Sequence, residues 1–183
     1  VKKFPLLLRI EGGRVVGRGG PAVRGDLFQP SVVTGEGPGM DLFLRSGEGA
    51  EAKVYHSHHN GSADDGWSDP VALAIPNPNA GISALRLPGG DFLLAANPDP
   101  DSRESLVLFR APAAAGPWRR VLTVDSEARE ADEAELGTVE YSYPWLMLDR
   151  HGTVHLFFTW NRREIRHWCF GQDALGGGED AGR

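Results

Sequence analysis

The sequence predicts an all-β fold assembled from a recurring four-stranded meander, and three observations predict it. Gly, at 24 residues, and Pro, at 13, are spread between short runs of Val, Leu, Ile, Phe, Tyr and Trp. That distribution is the punctuation of short strands joined by turns. The runs recur in one order at a spacing of tens of residues, the mark of a repeat architecture. Helix-forming sequence is confined to the acidic stretch from Ser126 to Leu136, which has almost no apolar face to bury and reads as a solvated insertion.

Three passes lie over one another. The first unit runs Gln29-Pro-Ser-Val-Val33, Asp41-Leu-Phe-Leu-Arg45, Lys53-Val-Tyr-His-Ser57 and Asp69-Pro-Val-Ala-Leu-Ala74. The second runs Ile82 to Leu87, Asp91 to Ala95, Ser105 to Phe109 and Trp118 to Val124. The third runs Tyr143 to Leu148, Thr153 to Phe158 and Glu164 to Trp168. From Gln29 to Ile82 is 53 residues and from Ile82 to Tyr143 is 61, the excess falling in the acidic insertion. Pro88-Gly-Gly-Asp91 and Asp149-Arg-His-Gly152 supply the first hairpin turns of two units. A four-stranded meander repeated radially is the blade of a β-propeller, and the ordered recurrence favours it over a β-sandwich. Three blades do not close a ring and would leave strand edges open, so residues 1–170 are expected to form part of a larger propeller. The missing part or a second chain would complete it. Residues 171–183, ending Gly-Gly-Gly-Glu-Asp-Ala-Gly-Arg, are expected to be a flexible tail.

Composition excludes several partners. Nineteen Lys and Arg against 25 Asp and Glu give a net charge of −6, so no global positive field is available for nucleic acid. No apolar run approaches the ~20 residues that cross a bilayer, and no membrane partner is expected. The single cysteine, Cys169, rules out an internal disulfide framework and a multi-cysteine metal cage but leaves the compartment open. From Val1 the sequence shows no secretion signal of the charged, apolar, small-residue kind, and a processed or truncated start would look the same. His56, His58 and His59 invite a metal reading, since His56 and His58 share a strand face, but no carboxylate accompanies them at a defined spacing. His155 and His167 read as a cross-strand pair. No metal and no cofactor is expected.

With the units aligned, Ser62-Ala-Asp-Asp-Gly-Trp-Ser-Asp-Pro70 resembles a shortened Asp-box of the sialidase (neuraminidase) superfamily, and Gly116 with Trp118 keeps the end of a second one. The chain is similar to sialidase-like proteins built from bacterial neuraminidase repeats. The resemblance implies about three blades of a six-bladed ring, with the Asp-box a structural turn in which Asp64, Asp65 and Trp67 are not catalytic. Asp41-Leu-Phe-Leu-Arg45-Ser resembles the segment ending in the second arginine of the carboxylate-binding triad. Ala96-Asn-Pro-Asp-Pro-Asp-Ser-Arg103 resembles the segment supplying the third, and Tyr141-Ser142-Tyr143 the segment with the nucleophilic tyrosine. The first arginine and the acid/base aspartate have no counterpart in the sequence.

On that resemblance Arg45 and Arg103 bind an anionic sugar, because guanidinium groups grip a carboxylate bidentately. Tyr141 or Tyr143 acts as nucleophile or substrate hydrogen-bond donor, since a carboxylate nucleophile would be repelled by the substrate's own carboxylate. A tyrosine of pKa near ~10 needs a neighbouring base. The family's activating glutamate falls at Gln29, which can contact a sugar hydroxyl but cannot act as a general base at neutral pH. Glu140 is a poor substitute unless the strand is bulged, and Tyr143 is expected to share a face with Tyr141. Three functions follow: a glycoside hydrolase acting on an acidic or polar glycan, a carbohydrate-binding or scaffolding propeller, and a glycan lyase on the same fold.

Overall fold

The computed structural model describes residues 5–23, 25–35, 37–62, 66–124 and 139–176. A hairpin of β1 (Leu7–Glu11) and β2 (Arg14–Gly19) comes first, turning at Gly12 and Gly13, both left-handed as a tight hairpin turn requires. Three antiparallel meanders follow. The first is β3 (Leu27–Thr34), β4 (Met40–Ser46), β5 (Lys53–His59) and β6 (Val71–Pro76). The second is β7 (Ser83–Arg86), β8 (Phe92–Ala96), β9 (Leu106–Ala111) and β10 (Arg119–Val124). The third has three strands, β11 (Tyr141–Leu148), β12 (Val154–Trp160) and β13 (Glu164–Phe170).

The middle sheet explains the arrangement. Phe92-Leu-Leu-Ala-Ala96 has no polar alternation, and all five residues are buried. Such a run belongs to a sheet covered on both faces. Phe92, Leu94 and Ala96 pack with Phe43, Val54 and Ile75 of the first sheet. Leu93 and Ala95 pack on the other side with Leu146, Leu156 and Phe158 of the third. The first strands β3, β7 and β11 lie side by side. Two serines clasp them: the Ala84 amide donates to Ser31 Oγ at 2.8 Å, and the buried Leu146 amide donates to Ser83 Oγ at 2.9 Å. Sheets stacked face to face with their first strands adjacent are the propeller arrangement, not the two-layer sandwich.

The outer face of the first sheet, through Leu27, Leu42 and Leu44, is covered by Leu7 of the hairpin together with Val23 and Trp67. Trp118 packs edge-on against Phe43 at 5.8 Å, and Trp67 packs with its ring tilted against His59 at 4.8 Å, in keeping with structural roles for both. Asp64 and Asp65 of the Asp-box, and the acidic stretch from Ser126 to Leu136, lie outside the described residues. The start of the expected tail differs. Gln172–Leu175 form a 3-10 turn, and Leu175 is fully buried in the core between the second and third sheets, so ordered packing extends beyond Gly171. Among the described residues no helix is long and apolar enough to cross a membrane.

Candidate functional site

The first strands of the first and third sheets carry the same irregularity. In β3 the pairing with β4 slips between Phe28 and Ser31, and in β11 the pairing with β12 slips between Ser142 and Trp145. Each slip holds a residue-proline pair, Gln29-Pro30 and Tyr143-Pro144, whose proline has no amide to offer the ladder. Gln29 and Tyr143 take left-handed backbone angles, with φ of 48° and 51°. For residues with a β-carbon this costs energy and is concentrated at functional positions. The bulge reverses the expected facing of the two tyrosines. Tyr141 is 1% exposed and packs on Phe158 within the core at 5.6 Å, whereas Tyr143 is 55% exposed. A glycan cannot reach the Tyr141 ring in this packing, and Tyr143 is the tyrosine presented to solvent.

Arg45 lies opposite Phe28 in the ladder and places its guanidinium 4.3 Å above that ring. Its Nε and Nη1 atoms are buried without a hydrogen-bond partner. Burial pulls its pKa below the ordinary arginine value, the neighbouring Tyr143 phenol opposes this, and the nearby charge of Arg103 adds to it. The structure thus brings Arg45, Arg103 and Tyr143, from three different sheets or their loops, to one end of the strands.

Arg103 is held by a network that the sequence did not suggest. Its Nη2 donates to the Asn79 carbonyl at 2.8 Å, and its Nη1 lies 3.4 Å from Ser142 Oγ and 3.5 Å from Glu140 Oε1. Ser142 donates its hydroxyl to Glu140 at 2.5 Å, and Arg162 Nε sits 2.9 Å from the other carboxylate oxygen. Burial pushes the Glu140 pKa up, but the bonds from Ser142 and Arg162 and the charge of Arg103 outweigh it and hold the carboxyl below its usual value. An ionised carboxylate so engaged is an anchor for Arg103 and a weak proton acceptor. Behind it, buried Asn97 donates to the Ser105 and Tyr141 carbonyls at 2.7 and 3.0 Å, tying the Arg103 loop to β11. Gln29 is exposed, and among the described residues its carboxamide makes no hydrogen bond.

The histidines lie elsewhere. His56 and His58 both meet Asp41 Oδ1, at 2.8 and 3.0 Å, at the far end of β4 from Arg45. Asp41 is the carboxylate that sequence spacing did not disclose, because it reaches the pair across the ladder. His155 and His167 stack as cross-strand neighbours. Among the described residues no group of three His, Cys, Asp or Glu is placed to hold a metal ion. A cavity of about 500 Å³ beside Arg86 and the Pro88–Gly90 turn opens at the far end of β3 and β7, away from this chemistry, while one of about 280 Å³ adjoins Arg103 and Glu140.

Residues 8–156 match the family model of the BNR repeat-like domain. The chain belongs to that family. No curated protein sequence matches it. Solved structures resemble the BNR repeat-like fold seen here. The intramolecular trans-sialidase of Ruminococcus gnavus, in complex with oseltamivir carboxylate, superposes with a TM-score of 0.64 at 14% identity, covering 87% of this chain and 36% of that one. A leech intramolecular trans-sialidase complexed with 2,7-anhydro-Neu5Ac gives 0.63 at 14% identity, covering 89% and 26%. An α-L-arabinofuranosidase from Clostridium thermocellum gives 0.57 at 10% identity, covering 81% and 52%. This BNR repeat-like chain therefore has the sialidase-like β-propeller fold and spans about a third or less of the two trans-sialidases. The same fold is thus shared by an intramolecular trans-sialidase and an α-L-arabinofuranosidase.

Proposed function

We propose that the chain supplies part of a sialidase-like site that takes an acidic glycan, with Arg45 and Arg103 on the carboxylate, Tyr143 beside it and Gln29 on a sugar hydroxyl. One observation carries this reading: Arg45 keeps two buried donors without an acceptor, next to a second arginine and an exposed tyrosine. Buried donors are nearly always paired, and a ligand carboxylate is the acceptor whose charge and shape fit them. The carboxylate-bearing ligand in the R. gnavus neighbour supports the same choice.

Binding without ordinary sialidase turnover is favoured by the groups around Tyr143. Gln29 cannot take the phenolic proton, and Glu140 is committed to Ser142, Arg162 and Arg103. Loss of a positioned base costs about 10²–10⁴-fold. The exposed face of the third sheet, with Trp145, Met147 and Ile165, is where the next sheet of a six-bladed ring would pack, brought by the rest of the propeller or a second chain. The test is titration of the chain with 3'-sialyllactose by NMR alongside an assay on an aryl sialoside. Saturable binding with no detectable hydrolysis is expected; robust turnover by the unmodified chain, or no binding at all, would overturn the assignment.

A further inference from the structure

We propose that Asn79 is a sugar-reading residue of this site: its carboxamide hydrogen-bonds a hydroxyl or acylamino group of the glycan whose carboxylate lies on the arginines. This rests on the acidic-glycan reading above and adds to it a residue from the loop that leads into the second sheet, which otherwise contributes only Arg103.

The placement is set by three contacts. The Asn79 carbonyl accepts from Arg103 Nη2 at 2.8 Å, fixing the residue beside that guanidinium. Two residues on, Gly81 lies against Tyr143 so closely that a β-carbon there would stand 3.2 Å from the ring and 3.4 Å from its Cα. The segment 79–81 therefore bridges Arg103 and Tyr143. Below it, fully buried Asn77 clamps the turn, its side chain donating to the Ala80 carbonyl and accepting from the Ala80 amide, both at 3.0 Å.

The backbone of Asn79 is left-handed, with φ of 56°. Gln29 and Tyr143 have the same feature, so the first strands of the first and third sheets and the loop leading into the second each present one exposed, proline-flanked polar residue in this conformation at the arginine end. The Pro78-Asn79 turn needs only a residue that tolerates positive φ, and glycine meets that need without a side chain. Asn79 adds a donor and an acceptor, and among the described residues no hydrogen bond engages its carboxamide. A carboxamide beside a carboxylate-binding arginine is suited to the neutral polar substituents that flank a sugar acid, since it can both donate and accept.

The experiment titrates the chain with N-acetylneuraminic acid and compares Asn79→Gly, Asn79→Asp and Arg103→Ala, with thermal unfolding of each as the folding control. Glycine keeps the backbone conformation and removes only the carboxamide. Asn79→Gly is expected to weaken binding about 2- to 12-fold, the worth of one net hydrogen bond. Asn79→Asp is expected to weaken it further, because its charge faces the ligand carboxylate, and added salt should shrink that excess. Arg103→Ala should weaken binding more than tenfold. If Arg103→Ala loses binding while both Asn79 variants bind like the unmodified chain, the role of Asn79 is refuted and the arginine site stands. If Arg103→Ala binds normally, or the unmodified chain does not bind, both readings fall.

Discussion

Replacing Arg45 with methionine should separate stability from binding, because the two depend on different parts of the same side chain. In the free protein Nε and Nη1 are buried without acceptors, and each such donor costs about 1–3 kcal/mol. Removing them relieves about 2–6 kcal/mol. Against this, the substitution loses the guanidinium stack on Phe28, about 0.5–2 kcal/mol. Methionine keeps an unbranched apolar stem over the Phe28 ring. The relief matches or exceeds the loss, so Arg45→Met should leave stability unchanged or raise it, each kcal/mol gained lifting Tm by roughly 2–4 °C for a chain of this size. Arg110→Met is the comparison: Arg110 Nε lies 2.6 Å from Asp91 Oδ2, a satisfied pair whose rupture destabilises. Affinity behaves differently. Two charge-assisted bonds to a carboxylate at about 1.5–3 kcal/mol each predict a loss of binding greater than about 100-fold. Thermal unfolding and titration with N-acetylneuraminic acid on the same samples measure both. Destabilisation beyond about 2 kcal/mol, or undiminished affinity, would refute the claim that these donors await a ligand.

Ser83→Ala should destabilise by about 1–3 kcal/mol in urea unfolding, because the Leu146 amide would be left buried without its acceptor between the second and third sheets. A change within a few tenths of a kcal/mol would mean that this clasp does not hold the sheets together. Burial raises the Asp41 pKa, but hydrogen bonds from His56 and then His58 lower it below its ordinary value. Its contribution to stability is therefore present above about pH 4, the unfolded value, and lost as pH falls through the lower folded value. Asp41→Asn should accordingly be less stable than the unmodified chain near pH 6, by about 1–3 kcal/mol, with the gap closing in strong acid; a gap unchanged at about pH 2.5 would assign its origin elsewhere.

The three meanders were legible because each strand carries its own evidence. Phe92 to Ala96 reads as doubly buried by its lack of polar residues, and the turns at 88–91 and 149–152 are written in Gly, Pro and Asp. The β1–β2 hairpin was missed although Gly12-Gly13 is a turn signal, because it has no counterpart in the repeat against which the other strands were aligned. Leu175 was missed for a different reason. A single apolar residue among glycines and acids has no local pattern, and only the third dimension supplies the core that buries it.

The proposed site is read from sequence by residue type, and the structure changes its facing. Arg45 and Arg103 could be placed because a family pattern marks them, but alternation along a strand assumes one residue per step of the ladder. The bulges at Gln29-Pro30 and Tyr143-Pro144 break that count. Proline was the available signal, since its missing amide suits a bulge better than a paired position, yet many prolines in this chain sit in ordinary turns. Pro76 to Ile82, with Asn79 in it, reads from sequence as a rigid turn whose amides could line a pocket, and only the contact with Arg103 shows what the turn is beside. Regular strand geometry would bury or evenly alternate these side chains. The bulges at Gln29 and Tyr143 and the turn at Asn79 depart from it, and each presents an exposed polar side chain at the end where the unpaired arginine donors lie, which is why these irregular positions, rather than the regular ones, make up the proposed site.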